Sequence, residues 1–193
     1  MVYRVAGILN KGTDAVTIAF IEFEVSGKNW SYQIVSSATY ALTTDWQERL
    51  KIASSFNAAA YLQLHAEYGK LLGNTFQQFA EEHQLHYKIQ LIACPGFSVF
   101  EQLPYTLGDG AAVAALTGIN TVSDFFAMNA ALGSMSKHFL FDQLQVSADD
   151  EQAAMVYNCF FAVLRWREEN NLLADGGASR SSIGGAVWIG QEW

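Results

Sequence analysis

Charge is scarce in this chain. Only 16% of its 193 residues are Asp, Glu, Lys or Arg, against roughly a quarter in ordinary soluble domains. Apolar residues make up 51% and aromatics 13%, so the chain has too much surface to bury for disorder to be its main state. Basic residues are scarcer still: 11 Lys and Arg face 19 Asp and Glu, a net charge of −8. A field of that sign repels phosphate backbones and anionic lipid, so neither a nucleic-acid nor a membrane partner is expected. Cysteine is limited to Cys94 and Cys159. Two thiols cannot build a disulfide framework, and neither has a Cys or His at metal-binding spacing. Both are expected to be buried free thiols, and no metal site is expected. No apolar run reaches the roughly 18 residues that cross a bilayer. The start, from Met1 to Leu9, lacks the apolar region and small-residue cleavage site of a signal peptide, so a cytoplasmic protein is expected. Also missing are Gly-x-Ser-x-Gly, a Walker loop and a dinucleotide fingerprint. The length suits one large domain or two small ones, and one compact domain is the starting expectation.

What is present reads as an α/β pattern. Val2 to Leu9, Ala15 to Val25 and Trp30 to Tyr40 have strand composition. They are separated by 10–14 and 26–29, both of turn composition, which predicts an antiparallel three-strand meander. Thr43, Thr44 and Asp45 offer N-caps to a helix reaching about Ser55. Tyr61, Leu64, His65, Tyr68, Leu71, Leu72 and Phe76 follow helical spacing, predicting a long helix over 57–83 with a possible bend at Gly69 or Gly73. The stretch from Tyr87 to Cys94 turns wholly apolar at its end, as a central parallel strand does, and stops at Pro95-Gly96. A short helix over 108–117, a strand over 119–122 and a helix capped by Ser123-Asp124 and reaching about Leu132 follow. The segment 134–146 has little pattern. The strongest helix runs from Asp149 to Asn170; its middle is almost wholly apolar and requires burial on most sides. A short strand over 186–189 closes the pattern.

Candidate chemistry is sparse. The turn between the first two strands, Gly7 to Asp14, sits where some nucleotide-binding domains grip phosphate with backbone N–H groups, though such a turn is more often just a hairpin. Pro95-Gly96 lies beyond a strand's carboxyl end, a ligand-side position, but offers only Phe97 and Ser98. Gly108-Asp109-Gly110 opens a helix with a carboxylate beside backbone donors, suited to a sugar hydroxyl or simply to capping the helix. Asp124 has the same two readings. The histidines, His65, His83, His86 and His138, share no spacing. His65 is expected in the core, and His83 and His86 at a helix end, where a cationic ring is mildly favourable.

Three stretches together carry a specific match. They are Leu64-His65-Ala66-Glu67-Tyr68-Gly69; the run from Leu107-Gly108-Asp109-Gly110 to Thr117-Gly118 with Val122-Ser123-Asp124-Phe125; and Val163-Leu164-Arg165 with Ser182-Ile183-Gly184-Gly185-Ala186. In these the chain resembles the anhydro-N-acetylmuramic acid kinase family of the actin/Hsp70/sugar-kinase superfamily. The resemblance implies a ribonuclease H-like, actin-like ATPase domain and a cell-wall recycling sugar as substrate, with ATP and Mg²⁺ as cofactors of the kinase activity. The family's glycine-rich opening of its second domain has no counterpart between 137 and 149, which implies that a single domain over 1–193 remains, the second being deleted there.

The same resemblance implies decay at the sites. The stretch Gly7 to Thr17 is one residue shorter than the family's phosphate loop; Asp14 remains, and Thr17 replaces its last Asp. The family's His-Gly-Gln-Thr is here Pro95-Gly96-Phe97-Ser98. Phe126 and Asn129 stand for its Arg-x-x-Asp, and Asn129 at the general-base position cannot accept a proton, a loss that typically costs about 10²- to 10⁴-fold. No catalytic residue is therefore assigned, and Gly108, Asp109, Asp124 and Asp14 are the expected ligand-binding positions. An inactive relative is expected, needing no cofactor, which binds an amino sugar or forms a homodimer through the apolar helix 149–170 and a face left open by the deletion. Residual phosphorylation, completed by a partner chain, is the alternative.

Overall fold

A computed structural model describes residues 1–27, 29–100, 105–125, 150–174 and 186–188. The meander is as expected: β1 (Val2–Lys11), β2 (Ala15–Ser26) and β3 (Asn29–Ala41) pair antiparallel. β1 and β2 are largely buried because helices cover both sides of the sheet. β3 alternates between half-buried and exposed residues along its whole length.

Thr43 caps α1 (Thr44–Lys51), with Asp45 in the first turn and Arg49 and Lys51 in the last, in accord with the helix dipole. The helix is shorter than expected; a 3₁₀ turn, Ala53–Ser55, completes the segment. In α2 (Ala58–Glu82) the Asn57 side chain accepts a hydrogen bond from Ala60 N at 2.9 Å, and His83 closes the other end. Its buried stripe is Leu64, Tyr68, Leu72, Phe76 and Phe79. Gly69 and Gly73 do not interrupt it; they face the next helix in the chain.

The central strand β4 (Leu91–Cys94) is shorter than the sequence suggests. Left-handed backbone at Gln84 (φ 55°) and Tyr87 (φ 60°) turns the chain around the end of α2 and leaves Tyr87 exposed, so pairing begins only at Leu91. A small hairpin follows, β5 (Phe97–Ser98) with β6 (Thr106–Leu107), which the sequence does not signal. Asp109 caps α3 (Gly110–Thr117), and β7 (Asn120–Ser123) runs parallel to β4. α4 (Asp150–Ala174) and β8 (Ala186–Trp188) lie close to their expected positions, β8 antiparallel to β7. The expected helix to Leu132 lies outside the described residues beyond Phe125, as does the segment 134–146.

The strand order is β3-β2-β1-β4-β7-β8. One core joins Ile8, Ile18, Ile92 and Cys94 to Leu64, Tyr68, Leu72 and Phe76 of α2 and Val113 of α3. The other joins Val5, Ile21, Phe23, Leu91 and Ala93 to α4. α4 buries Met155, Val156 and the run from Cys159 to Val163, as its apolar middle requires. The Phe160 ring lies 4.9 Å from that of Trp30 and 5.8 Å from that of Phe23. Gly7 of β1 permits this approach, since a Cβ there would lie 2.6 Å from Cys159 Sγ. No described residue of α4 is a large exposed hydrophobic. Among the described residues no helix is long and apolar enough to cross a membrane.

Replacing Phe160 by Ala empties the centre of the α4 core and is expected to cost about 3–5 kcal/mol. Urea unfolding at unchanged slope measures it. Leu62→Ala, at a position 64% exposed, is expected to change stability by less than about 0.5 kcal/mol.

Candidate functional site

In sheets of this kind, ligands sit beyond the carboxyl ends of the parallel strands. Here those ends are Lys11, Cys94 and Ser123. Asp109 reaches this end of the sheet through a tightly packed backbone. Its carboxylate accepts a hydrogen bond from Ala111 N at 2.9 Å, and its own N–H donates to the His65 carbonyl at 3.2 Å. Gly69 makes that contact possible, because a Cβ there would lie 2.6 Å from the Asp109 carbonyl oxygen. Gly108 is buried with φ 116°, a conformation that favours glycine.

Asp124 follows β7 in a left-handed conformation, φ 57°, with the Ser123 hydroxyl donating to its carboxylate at 3.0 Å. Cys94, the last residue of β4, is buried. That thiol is pushed up to about 12, first by burial and then by the Asp124 and Asp109 charges, against a backbone hydrogen bond at Gly96 that favours the thiolate. Both cysteines are free and buried, as expected, and burial raises the Cys159 thiol too.

Asp14 is placed differently. It is exposed on the β1–β2 turn, where the Thr13 hydroxyl donates to its carboxylate at 3.2 Å and its carbonyl accepts from Leu42 N at 2.8 Å. The turn consists of Gly12, Thr13 and Asp14 alone. Gly7 belongs to β1, paired with Ala19 and Ala93, rather than to the turn. Asp14 N–H already donates to the Lys11 carbonyl at 3.3 Å. The Thr17 hydroxyl is paired with that of Thr39 at 3.0 Å. Asn129, Phe126 and His138 lie outside the described residues. His65 is half-buried rather than a core residue, His83 packs on the Phe79 ring at 4.5 Å, and His86 is exposed.

A polar bridge that the sequence does not reveal ties the end of β1 to the helices. Asn10 Nδ2 donates to the hydroxyl of buried Tyr68, whose ring lies 5.5 Å from that of Trp46. Arg49 sits 4.4 Å over the Trp46 ring and pairs with Glu67; its guanidinium, helped by the Gln63 amide, holds the Glu67 carboxyl below the usual range. Helical spacing places Tyr68 on an apolar face, but nothing local relates it to residues 10 or 46.

Two described cavities lie away from the carboxylate pair. One, of about 200 Å³, is lined by Lys11, Thr17, Thr39 and Gln152 among others. The second, of about 850 Å³, lies at the opposite ends of β4 and β7, between Phe76, Tyr87 and Asn120.

Gly69→Ala drives a methyl group into the Asp109 backbone and is expected to lower stability by about 1–3 kcal/mol, with a matching fall in Tm. Because burial disfavours both thiolates, neither cysteine should react with a thiol reagent at pH 8 until the chain is unfolded. Colorimetric labelling with and without denaturant checks this.

The sequence pattern of the anhydro-N-acetylmuramic acid kinase family matches residues 4–162. Two curated proteins named anhydro-N-acetylmuramic acid kinase, from Trichormus variabilis and Synechococcus elongatus, are each 28% identical to this chain, over 145 and 142 residues. Each match takes in 67% of this chain, which spans 37% of the relative's length. The mixed sheet with its opening meander and flanking helices agrees with the actin-like fold of that family.

Proposed function

Because this chain belongs to the anhydro-N-acetylmuramic acid kinase family, we propose that it binds the family's amino sugar in connection with peptidoglycan recycling and does not phosphorylate it. The carrying observation is the contrast between two parts of one sheet end. Gly69 packs against the backbone of Asp109, next to Gly108, and Asp124 follows β7 at the same end of the sheet. One Asp109 oxygen caps α3, and the carboxylate's remaining lone pairs suit a sugar hydroxyl.

The nucleotide side is different. A phosphate cradle needs successive outward backbone N–H groups, and Mg²⁺ needs several oxygen ligands at near-octahedral positions. In this chain the turn is three residues long, one of its N–H groups is bonded within the turn, and the Thr17 hydroxyl is engaged by Thr39. The turn as built offers few backbone donors to the phosphates of ATP, and Asn129, at the position that the resemblance assigns to the general base, offers no base to a sugar hydroxyl. This reading takes the chain as one lobe of a two-lobe clamp, with the second lobe deleted between about 137 and 149. It rests on the resemblance of residues 182–186 to the family's C-terminal end.

Titration calorimetry with 1,6-anhydro-N-acetylmuramic acid is expected to show saturable binding. Asp109→Asn retains a good helix cap but loses the charge, so affinity should fall by about tenfold with little change in Tm. No heat at millimolar sugar overturns the binding reading. ADP release well above background, in the presence of ATP, Mg²⁺ and the sugar, overturns the inactive one and favours residual kinase activity.

A further inference from the structure

The cavity of about 850 Å³ opens at the amino ends of β4 and β7, the far end of the sheet from Asp109 and Asp124. Nothing in the sugar-binding reading uses it. Its volume falls within the roughly 300–1,000 Å³ that small-molecule sites occupy. The floor is apolar: Phe76 and Ala80 of α2, and Leu85 and Ile89 of the segment after it, are all buried.

Three side-chain amides line the walls, and the backbone fixes the sense of two. Gln77 Nε2 donates to the Leu116 carbonyl at 2.7 Å, which leaves the Gln77 oxygen as an acceptor. Gln90 Oε1 accepts from Arg4 N at 3.0 Å, which leaves the Gln90 nitrogen as a donor. Half-buried Asn120 adds one group of each kind, since its side chain makes no hydrogen bond among the described residues. Tyr87 stands at the rim. Its backbone is left-handed, φ 60°, a conformation that a bulky residue rarely adopts, and its side chain is wholly exposed. No packing within the chain offsets that strain, and strain of this kind gathers at ligand clamps.

Charge narrows the ligand. Among the described residues that line the cavity there is a carboxylate, Glu81, and no Lys or Arg, in a chain of net charge −8. A phosphate or carboxylate is therefore repelled. A planar heterocycle suits what remains. Its face stacks on an aromatic ring whatever its substituents, and its edge sets a donor beside an acceptor, the pattern that a side-chain amide pairs with. We propose that this cavity binds an uncharged nucleobase or nucleoside, stacked on Tyr87 and held at its edge by Gln77, Gln90 and Asn120.

Titration calorimetry of the full chain with adenosine, guanosine, cytidine and uridine, each to millimolar concentration, is expected to show saturable binding of at least one. Tyr87→Gly suits the left-handed backbone, so Tm should stay close to that of the natural chain while the binding weakens about tenfold or more. Gln77→Ala, at an exposed position on α2, should weaken it about three- to tenfold. The matching 5′-monophosphate should bind about tenfold more weakly than its nucleoside. No heat with any of the four nucleosides overturns the proposal. So does binding that Tyr87→Gly leaves undiminished, or a nucleotide bound as tightly as its nucleoside. Glucose competing as strongly as the nucleoside also overturns it, because such a site reads hydroxyls rather than a flat base. Should the glycine variant fail to fold, Gln77→Ala decides, and undiminished binding there overturns the proposal. Neither variant touches the Asp109 end, so titration with the anhydro sugar stays unchanged in both and the two readings fail separately.

Discussion

Everything in this molecule hangs on four residues buried on both sides. Leu91 and Ala93 of β4 face the core under α4, while Ile92 and Cys94 face the core under α2 and α3. Period-two alternation in one short strand therefore joins the two apolar layers. β4 also lies between β1 and β7, so its parallel ladders set where both neighbouring strands end. The position of the candidate site follows from that register, with Asp124 just past β7 and Asp109 brought over the end of β4 by α3.

The two parts of that end are built differently. Around Asp109 the geometry comes from backbone meeting backbone: a glycine on α2 lets the start of α3 approach until amide and carbonyl groups touch. A site held this way keeps its carboxylate in one orientation without help from a bound ligand. Near the β1–β2 turn several polar groups are engaged by neighbouring elements instead. Asn10 is tied to Tyr68, Thr17 to Thr39, and the Asp14 amide to Lys11. Groups engaged in this way are not left to meet a phosphate.

Much of the fold was legible in the chain. Turn composition at 10–14 and 26–29 separates the meander strands, Thr43, Asn57 and Asp109 mark helix starts, and the apolar middle of α4 requires cover on most sides. Less legible were features created by packing at a distance. β4 lost its expected first half because left-handed residues carry the chain around the end of α2. The glycines in α2 read as places to bend and instead make room for α3. Asp109 and Asp124 were each visible as a cap or a ligand, but the packing of Gly69 against the Asp109 backbone was not.

The sequence by itself determined the family, the order of the main strands and helices and the acidic balance. These follow from residue identity and local periodicity. Only the tertiary structure decided which polar groups remain available, because a hydroxyl or amide is satisfied by whatever lies within about 3 Å in space. It also decided that α4 packs on its own sheet and that β3 lies at the sheet's edge, since an edge exists only once the order of strands is set.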